Sequence, residues 1–145
     1  MTGNEGALPR RTPPPGFTTA PTCADIEALA ERALAAIPAP LRRQIDNVAI
    51  AVDELADDAT LIEMGIESAW DLTGLYRGTP LHLRSNSQVA REPDLISLYR
   101  QPILLEWIED GEDLYRLVRN VLVHEIAHHF GFSDAEIDAL EAATD

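Results

Sequence analysis

The sequence predicts a single domain that combines α-helices with a small group of β-strands. Its 145 residues, 46% of them hydrophobic, suffice for one core but not for two. Apolar residues recur at helical spacing towards both ends of the chain, whereas residues in the middle alternate in the manner of strands. The predicted order of elements is therefore helix, strands, helix, helix.

Residues 1–21 are predicted to form a disordered tail in front of the domain. Prolines and glycines are interleaved along this segment, and large apolar residues are nearly absent. Such a segment cannot bury enough surface to offset the entropy that it would lose on ordering. We interpret it as an extension rather than as a proline-rich recognition motif. The domain itself is predicted to span residues 22–145.

The first helix is predicted to begin after Thr22, which can cap it, with Asp25 three positions later completing a capping box. A single stripe of apolar residues then follows at helical spacing, as expected for a helix that is buried on one side. The stripe consists of Ile26, Leu29, Ala30, Ala33, Leu34 and Ile37. Pro38 and Pro40 are expected to stop the helix.

A strand and an acidic stretch are predicted next. Val48, Ile50 and Val52 alternate with smaller residues, which predicts a strand over residues 46–53. Residues 53–71 are strongly acidic, and we interpret them as a solvated loop with room for a short helix. They do not have the spacing or the glycine of a calcium-binding loop.

Further strands are predicted in the middle of the chain. Residues 72–81 suggest a strand, a turn and a second short strand, and the polar residues 82–93 suggest a loop. Residues 94–100 are predicted to form a strand that is apolar on both faces. Residues 103–108 are apolar but fit either type of element, because a short apolar run suits a strand and a buried helix equally well.

The longest helix is predicted from about Asp113 to Phe130, with apolar residues over most of its surface. Gly131 suits the left-handed position just after a helix. A short helix is predicted from about Asp134 to Ala143.

The charge and composition of the chain restrict its partners. The net charge of -14 repels phosphate backbones and anionic lipid surfaces, so nucleic acids and membranes are not expected to bind. All basic residues are arginine, which excludes lysine base or Schiff-base chemistry. The single cysteine, Cys23, excludes an internal disulfide and a multi-cysteine zinc site. No apolar run is long enough for a membrane span or a secretion signal, and a cytoplasmic protein is expected.

A metal-binding motif lies within the predicted long helix. His124 and His128 are four residues apart, so their imidazoles point the same way and can grip one ion. Glu125 lies about 100° round the helix from His124, where it can reach water at the metal without being a ligand. This H-E-x-x-H arrangement on a helix is typical of zinc-dependent metalloproteases.

A catalytic zinc site needs a third protein ligand and an open fourth position. Gly131 would let the chain reverse after the helix and bring Asp134 back towards His124 and His128. The alternative role of Asp134 is to support the first turn of the last helix, where Ser133 and Glu136 form a capping box. Both roles can be served at one turn.

The extended motif resembles that of a known family. Residues 123–134, which read VHEIAHHFGFSD, closely resemble the H-E-x-x-H-x-x-G-x-x-D signature of the short bacterial minimal zincin metallopeptidase-like proteins. The segments GLYRG at residues 74–78 and ISLYR at residues 96–100 are also similar to that family. The likeness covers roughly residues 24–145.

The resemblance implies a compact α+β domain with a small mixed sheet packed against the zinc-binding helix. It also implies that His124, His128 and Asp134 are the zinc ligands and that Glu125 is the catalytic base. We therefore expect one zinc ion per chain and the hydrolysis of a peptide or protein substrate. The alternative is a zinc domain of the same fold with a structural or regulatory role.

Several other residues have weaker claims to a role in the site. His129 points about 100° away from His128, so it is predicted to neighbour the site or lie on the surface rather than to bind the ion. Tyr76, Tyr99 and Tyr115 are candidate hydrogen-bond donors to a developing oxyanion, although a tyrosine is more often a core residue. Cys23 is expected to be structural, since no partner for a reactive thiol is evident.

Overall fold

A small sheet flanked by helices forms the architecture of the molecule. The computed structural model describes residues 18–45, 47–78 and 93–144. Within these ranges the helices are α1 (Cys23–Ala35), α2 (Ala39–Arg42), α3 (Asp58–Met64), α4 (Arg100–Asp110), α5 (Leu114–His129) and α6 (Asp134–Thr144). The strands are β1 (Val48–Asp53), β2 (Gly74–Arg77) and β3 (Asp94–Tyr99). A single turn of 3-10 helix, Ala69–Asp71, precedes β2.

The three strands form one mixed sheet in the order β1–β3–β2. β1 runs parallel to β3, with Val48 opposite Asp94, and β2 runs antiparallel to β3, with Tyr76 opposite Ile96. β3 is therefore central, and β2 is an edge strand among the described strands. The combination of helices with this small mixed sheet confirms the expected α+β class.

Different helices cover the two faces of the sheet. Ile96 and Leu98 of β3 are fully buried in the main core, which α1 and α5 share with one face of the sheet. On the opposite face, Leu75 and Tyr99 belong to a second buried cluster, against which Leu61 of α3 packs. β3 is thus buried on both faces, as its sequence predicted, and α5 is held firmly against the sheet.

Capping residues fix the starts of the helices at the predicted places. The backbone N–H of Asp25 donates to Thr22 Oγ1 at 3.1 Å, and the N–H of Thr22 donates to Asp25 Oδ2 at 2.8 Å. This is the expected capping box of α1. Asp113 caps α5 by accepting a hydrogen bond from the N–H of Arg116 at 3.0 Å.

Two segments whose secondary structure could not be decided from the sequence contain helices. The apolar residues 103–108 belong to α4, which follows β3 directly. The acidic residues 53–71 contain α3 and the 3-10 turn, in keeping with a loop that has room for a short helix. The strand expected over residues 46–53 is observed as Val48–Asp53.

Some predicted features lie outside the described residues. These are most of the N-terminal tail, the second short strand expected after Gly78, and the loop 82–93 apart from its last residue. Pro21 is described and buried, and its carbonyl oxygen accepts a hydrogen bond from Arg100 Nε at 2.6 Å. None of the helices in the described ranges is both long and apolar enough to cross a membrane.

Candidate metal centre

α5 carries most of the candidate site and is fixed by its buried side. Leu117, Val118, Leu122 and Ile126 recur at helical spacing and are almost completely buried. This stripe sets the rotation of the helix about its axis. His124 and Glu125 are therefore half-buried, whereas His128, at the end of the helix, is exposed.

His124 has its ring orientation fixed by a backbone group. Its Nδ1 lies 2.8 Å from the carbonyl oxygen of Asn120, one turn earlier in α5. A carbonyl oxygen can only accept, so this contact assigns the proton to Nδ1 and the lone pair to Nε2. A hydrogen bond of this kind commonly orients a metal-binding histidine.

A turn at Gly131 ends α5 and reverses the chain. Gly131 has φ of +81°, the left-handed conformation expected from the sequence. Its N–H donates to the carbonyl of His128 at 3.0 Å, and the N–H of Phe132 donates to that of Ala127 at 2.8 Å. These two hydrogen bonds form a Schellman motif, which satisfies the last carbonyls of the helix.

The reversed chain brings Asp134 against the end of α5. Asp134 Oδ1 lies 2.9 Å from His128 Nε2. The capping of α6 is carried by other residues, since Ser133 Oγ accepts from the N–H of Glu136 at 3.2 Å and Glu136 Oε1 accepts from the N–H of Ser133 at 3.3 Å. The Asp134 carboxylate can therefore face His128 while the capping box serves the helix.

Glu125 points towards the edge strand β2. The Tyr99 N–H donates to the Thr73 carbonyl at 3.0 Å, so alternation along the antiparallel ladder directs the Tyr76 N–H away from β3. The Tyr76 backbone lies close enough to the Glu125 carboxylate to affect its pKa. Burial raises the pKa of Glu125 above its usual range, and positive charge on His128 and the backbone of Tyr76 oppose the rise.

The close approach of α5 to β2 depends on Gly74. A Cβ atom on Gly74 would lie 2.8 Å from Val121 Cγ1 and 3.4 Å from Glu125 Cγ. The first of these distances is shorter than real contacts allow, so a side chain at this position would force Val121 or the strand to shift. The absence of a side chain at Gly74 therefore allows α5 to lie close to β2.

The imidazole nitrogens and the carboxylate are of the kinds that bind zinc, but they do not yet surround a single point at ligand distance. The ring centroids of His124 and His128 are 6.0 Å apart. Two imidazoles bound tetrahedrally to one zinc at about 2.0–2.1 Å would have centroids roughly 5 Å apart, so a closure of about 1 Å is needed. Among residues 18–45, 47–78 and 93–144, no three His, Cys, Asp or Glu side chains form a group that could hold a metal as they stand. Two imidazoles and one carboxylate are nevertheless a donor set that zinc accepts.

The sequence did not predict that Tyr76 lies close to Glu125, nor which residues surround Tyr76. The Tyr76 hydroxyl donates to the buried Asp94 carboxylate at 2.6 Å, so this tyrosine already uses its hydroxyl proton away from the site. Its ring stacks on His129, with the centroids 4.0 Å apart, and His129 thus neighbours the site as expected. The sequence singled out Tyr76 as a candidate hydroxyl donor and as part of the GLYRG segment, but it did not predict the approach to Glu125, because residues so distant in sequence have no spacing relation.

The remaining candidates lie elsewhere. Tyr99 belongs to the cluster on the face of the sheet opposite α5. The Tyr115 ring lies 4.0 Å from the Arg32 guanidinium carbon, and nine helical residues put it about 13 Å along α5 from His124. Burial and the Glu54 carboxylate raise the pKa of Cys23, which disfavours a reactive thiolate.

Comparison with known proteins identifies a family. The model of the zincin-like metallopeptidase family matches residues 45–144, which include the sheet, α5 and the turn that leads to Asp134. A search among curated proteins found no match. The matched range covers more than half of the chain and contains every residue of the candidate metal centre.

Proposed function

Because the chain belongs to the zincin-like metallopeptidase family, we propose that it hydrolyses peptide bonds with the help of one zinc ion. The proposed ligands are His124, His128 and Asp134. The proposed base is Glu125, and the substrate is a peptide or a protein.

Charge and hydrogen bonding support this ligand set. With its Nδ1 proton directed at the Asn120 carbonyl, His124 presents the Nε2 lone pair that a metal requires. His128 Nε2 already lies 2.9 Å from the Asp134 carboxylate. That carboxylate would offset part of the charge of an ion otherwise held by neutral imidazoles.

The position of Glu125 suits a general base. A zinc ion held at this site supplies Lewis-acid polarisation of a scissile carbonyl and makes a nearby water acidic at neutral pH. The Glu125 carboxylate takes a proton from the attacking water and passes it to the leaving amine. Burial raises the pKa of Glu125, which makes its carboxylate a better proton acceptor than that of an exposed glutamate.

One observation carries the proposal. The turn at Gly131 brings a carboxylate within hydrogen-bonding distance of the second histidine of the motif, at the end of the helix that bears the first histidine and the glutamate. Capping does not require the Asp134 side chain, since Ser133 and Glu136 cap α6 themselves.

The variant Glu125→Gln tests the catalytic role directly. The substitution removes the base but no proposed ligand, so the protein should keep its fold and its zinc while hydrolysis falls by at least about 100-fold, as expected for loss of a general base. A digest of a broad peptide library, read by mass spectrometry, measures the rate. Elemental analysis of the same sample measures the zinc. Cleavage at the parental rate by this variant would exclude Glu125 as the base.

The alternative function is a structural or regulatory zinc domain with the same fold. In that case the parental protein would bind zinc and cleave nothing in the library, and Glu125→Gln would change neither property. The half-buried position of Glu125 favours catalysis, because burial of a carboxylate without a task only costs stability.

A further inference from the structure

A cavity of about 360 Å³ lies along β2, with residues of α3 and the last residue of α5 in its lining. Its lining includes Glu63 and Met64 of α3, Tyr76 and Arg77 of β2, and His129 of α5. We call it the edge cavity. Its volume falls within the range of roughly 300–1,000 Å³ that is usual for ligand sites.

Two residues join the edge cavity to the catalytic carboxylate. A Cβ atom on Gly74 of β2 would lie 3.4 Å from Glu125 Cγ, and Tyr76, two residues further along the strand, lines the cavity. His129 follows the proposed ligand His128 and stacks on the Tyr76 ring at a centroid distance of 4.0 Å. Gly78, at the far end of the lining, is two extended residues beyond Tyr76, or roughly 7 Å. A side chain in the cavity would therefore belong to a substrate residue close to the bond that is cut.

The side chains that line the cavity favour an apolar occupant. Met64 is 43% exposed, although it is a large apolar residue that a surface helix does not require. Methionine adapts its shape to different apolar partners and is common at peptide-binding surfaces. The half-buried imidazole of His129, stacked on the buried Tyr76 ring, adds an aromatic surface of the kind on which apolar and aromatic side chains pack.

The charges at the cavity cancel each other. Arg77 Nη1 lies 3.0 Å from Glu63 Oε2, and Arg77 Nη2 donates to Thr60 Oγ1 at 3.1 Å. A carboxylate or an ammonium group on the substrate would have to compete with this pair. The ion pair therefore gives no preference for charge of either sign, and apolar contact remains the basis of selection.

We propose that the edge cavity is the specificity pocket of the enzyme and that it accepts a large apolar side chain, aliphatic or aromatic, from a peptide substrate. Met64 is the specificity-determining residue at this pocket. The proposal rests on the proposed peptidase function, which supplies the peptide.

The test compares Met64→Glu with a matched control on the same helix. Ile62 is 81% exposed, does not line the cavity, and lies about 200° round α3 from Met64. Ile62→Glu therefore introduces the same charge away from the pocket. Each protein digests a library of synthetic peptides with randomised positions, and zinc-loaded Glu125→Gln versions of each protein capture uncleaved peptides from the same library. Mass spectrometry reads the residues enriched in both arms.

In the parental protein, large apolar residues should be enriched at least fivefold at one position, in cleavage and in capture. Met64→Glu should remove this enrichment, whereas Ile62→Glu should keep it. Met64→Ala carries no new charge and should weaken the preference for the largest side chains. If circular dichroism shows that Met64→Glu is unfolded, Met64→Ala takes its place in the test.

The outcomes separate this proposal from the proposed function. Capture of apolar peptides without any cleavage would contradict the peptidase function and support the pocket. Cleavage without an apolar preference, or with a preference that Met64→Glu and Met64→Ala leave unchanged, would overturn the pocket and support the peptidase. If no peptide is cleaved and none is captured, the result counts against both the peptidase function and the specificity pocket.

Discussion

Asp134 is the residue on which the proposed ligand set depends most. As the first residue of α6, it lies where a negative charge stabilises a helix. Its carboxylate is also 2.9 Å from His128 Nε2. Both observations suit an acid at this position, but they predict different consequences when the charge is removed.

The variant Asp134→Asn separates the two roles. Loss of a zinc ligand should lower zinc affinity by at least about 100-fold, beyond the 10–100-fold typical of residues that only orient a ligand. The apo-protein should lose no more than about 0.3–1 kcal/mol of stability, the value of a charge in a first helical turn. Competition with a chelator of known affinity and thermal melts measure the two quantities.

Ser133→Ala is the matched control, because it removes the cap of α6 but no proposed ligand. It should cost about 1 kcal/mol of stability and leave zinc affinity nearly unchanged. If Asp134→Asn behaves like Ser133→Ala in both measurements, Asp134 only supports the helix.

At the scale of residues, the sequence predicted relations between neighbours and missed relations across the fold. The spacing of His124 and His128 follows from helix geometry alone, and so does the capping box of Ser133 and Glu136. The approach of Glu125 to β2 joins α5 to the sheet, because a Cβ atom on Gly74 would lie 3.4 Å from Glu125 Cγ. No local pattern in the sequence reveals this approach.

The turn between α5 and α6 is the element that completes the candidate centre. Gly131 has φ of +81°, and no atom lies within 4 Å of the place where its Cβ would be. A substitution there would therefore meet a conformational penalty rather than a clash. The Schellman hydrogen bonds of Gly131 and Phe132 set the path by which the chain returns to His128.

Gly131→Ala should cost about 1–2 kcal/mol of stability, because an L-residue disfavours the left-handed region. Relief of that strain moves the turn, so zinc affinity should fall as well. Gly111→Ala is the control, since Gly111 has φ of +65°, has the same open space and ends α4 rather than α5. It should lose similar stability and keep its zinc affinity. Equal zinc affinities in the two variants would mean that the turn does not position a ligand.

At the scale of elements, the helices with strong caps and apolar stripes were predictable, as α1 and α5 illustrate. α4 was not. Its residues 103–108 form an apolar run that carries no helical period, and its start follows β3 with no side-chain cap. Burial between neighbouring elements, rather than a local signal, decides its form.

The whole molecule is strongly anionic, with a net charge of -14. The field of such a surface raises the local concentration of cations and repels anions. The edge cavity adds no charge preference of its own, because Arg77 and Glu63 form an ion pair there. Any preference for charged peptides should therefore come from long-range attraction and should depend on salt.

Hydrolysis of arginine-rich peptides should slow several-fold as salt rises, because the screening length falls from about 10 Å at 0.1 M to about 3 Å at 1 M. Peptides of the same apolar sequence without charge should change much less. Values of kcat/KM over a salt series measure the effect. Faster cleavage of acidic peptides at low salt would contradict the expectation.

At the scale of the molecule, the combination of helices and strands followed from periodicity and the mixed sheet from the resemblance to the family, but the order and register of the strands did not. Parallel pairing of β1 with β3 and antiparallel pairing of β2 with β3 are contacts between distant segments. Alternation of side chains predicts that a strand exists and which faces it buries, but not its neighbours.

The proposed metal centre can be checked by measuring the zinc content of the protein. Protein purified without added metal, reconstituted with zinc and freed of excess ion by dialysis should contain about one zinc per chain by elemental analysis, as expected for a single site with two histidines and one carboxylate. A content indistinguishable from background after reconstitution would contradict the account, because every proposed role of His124, His128 and Asp134 requires the ion.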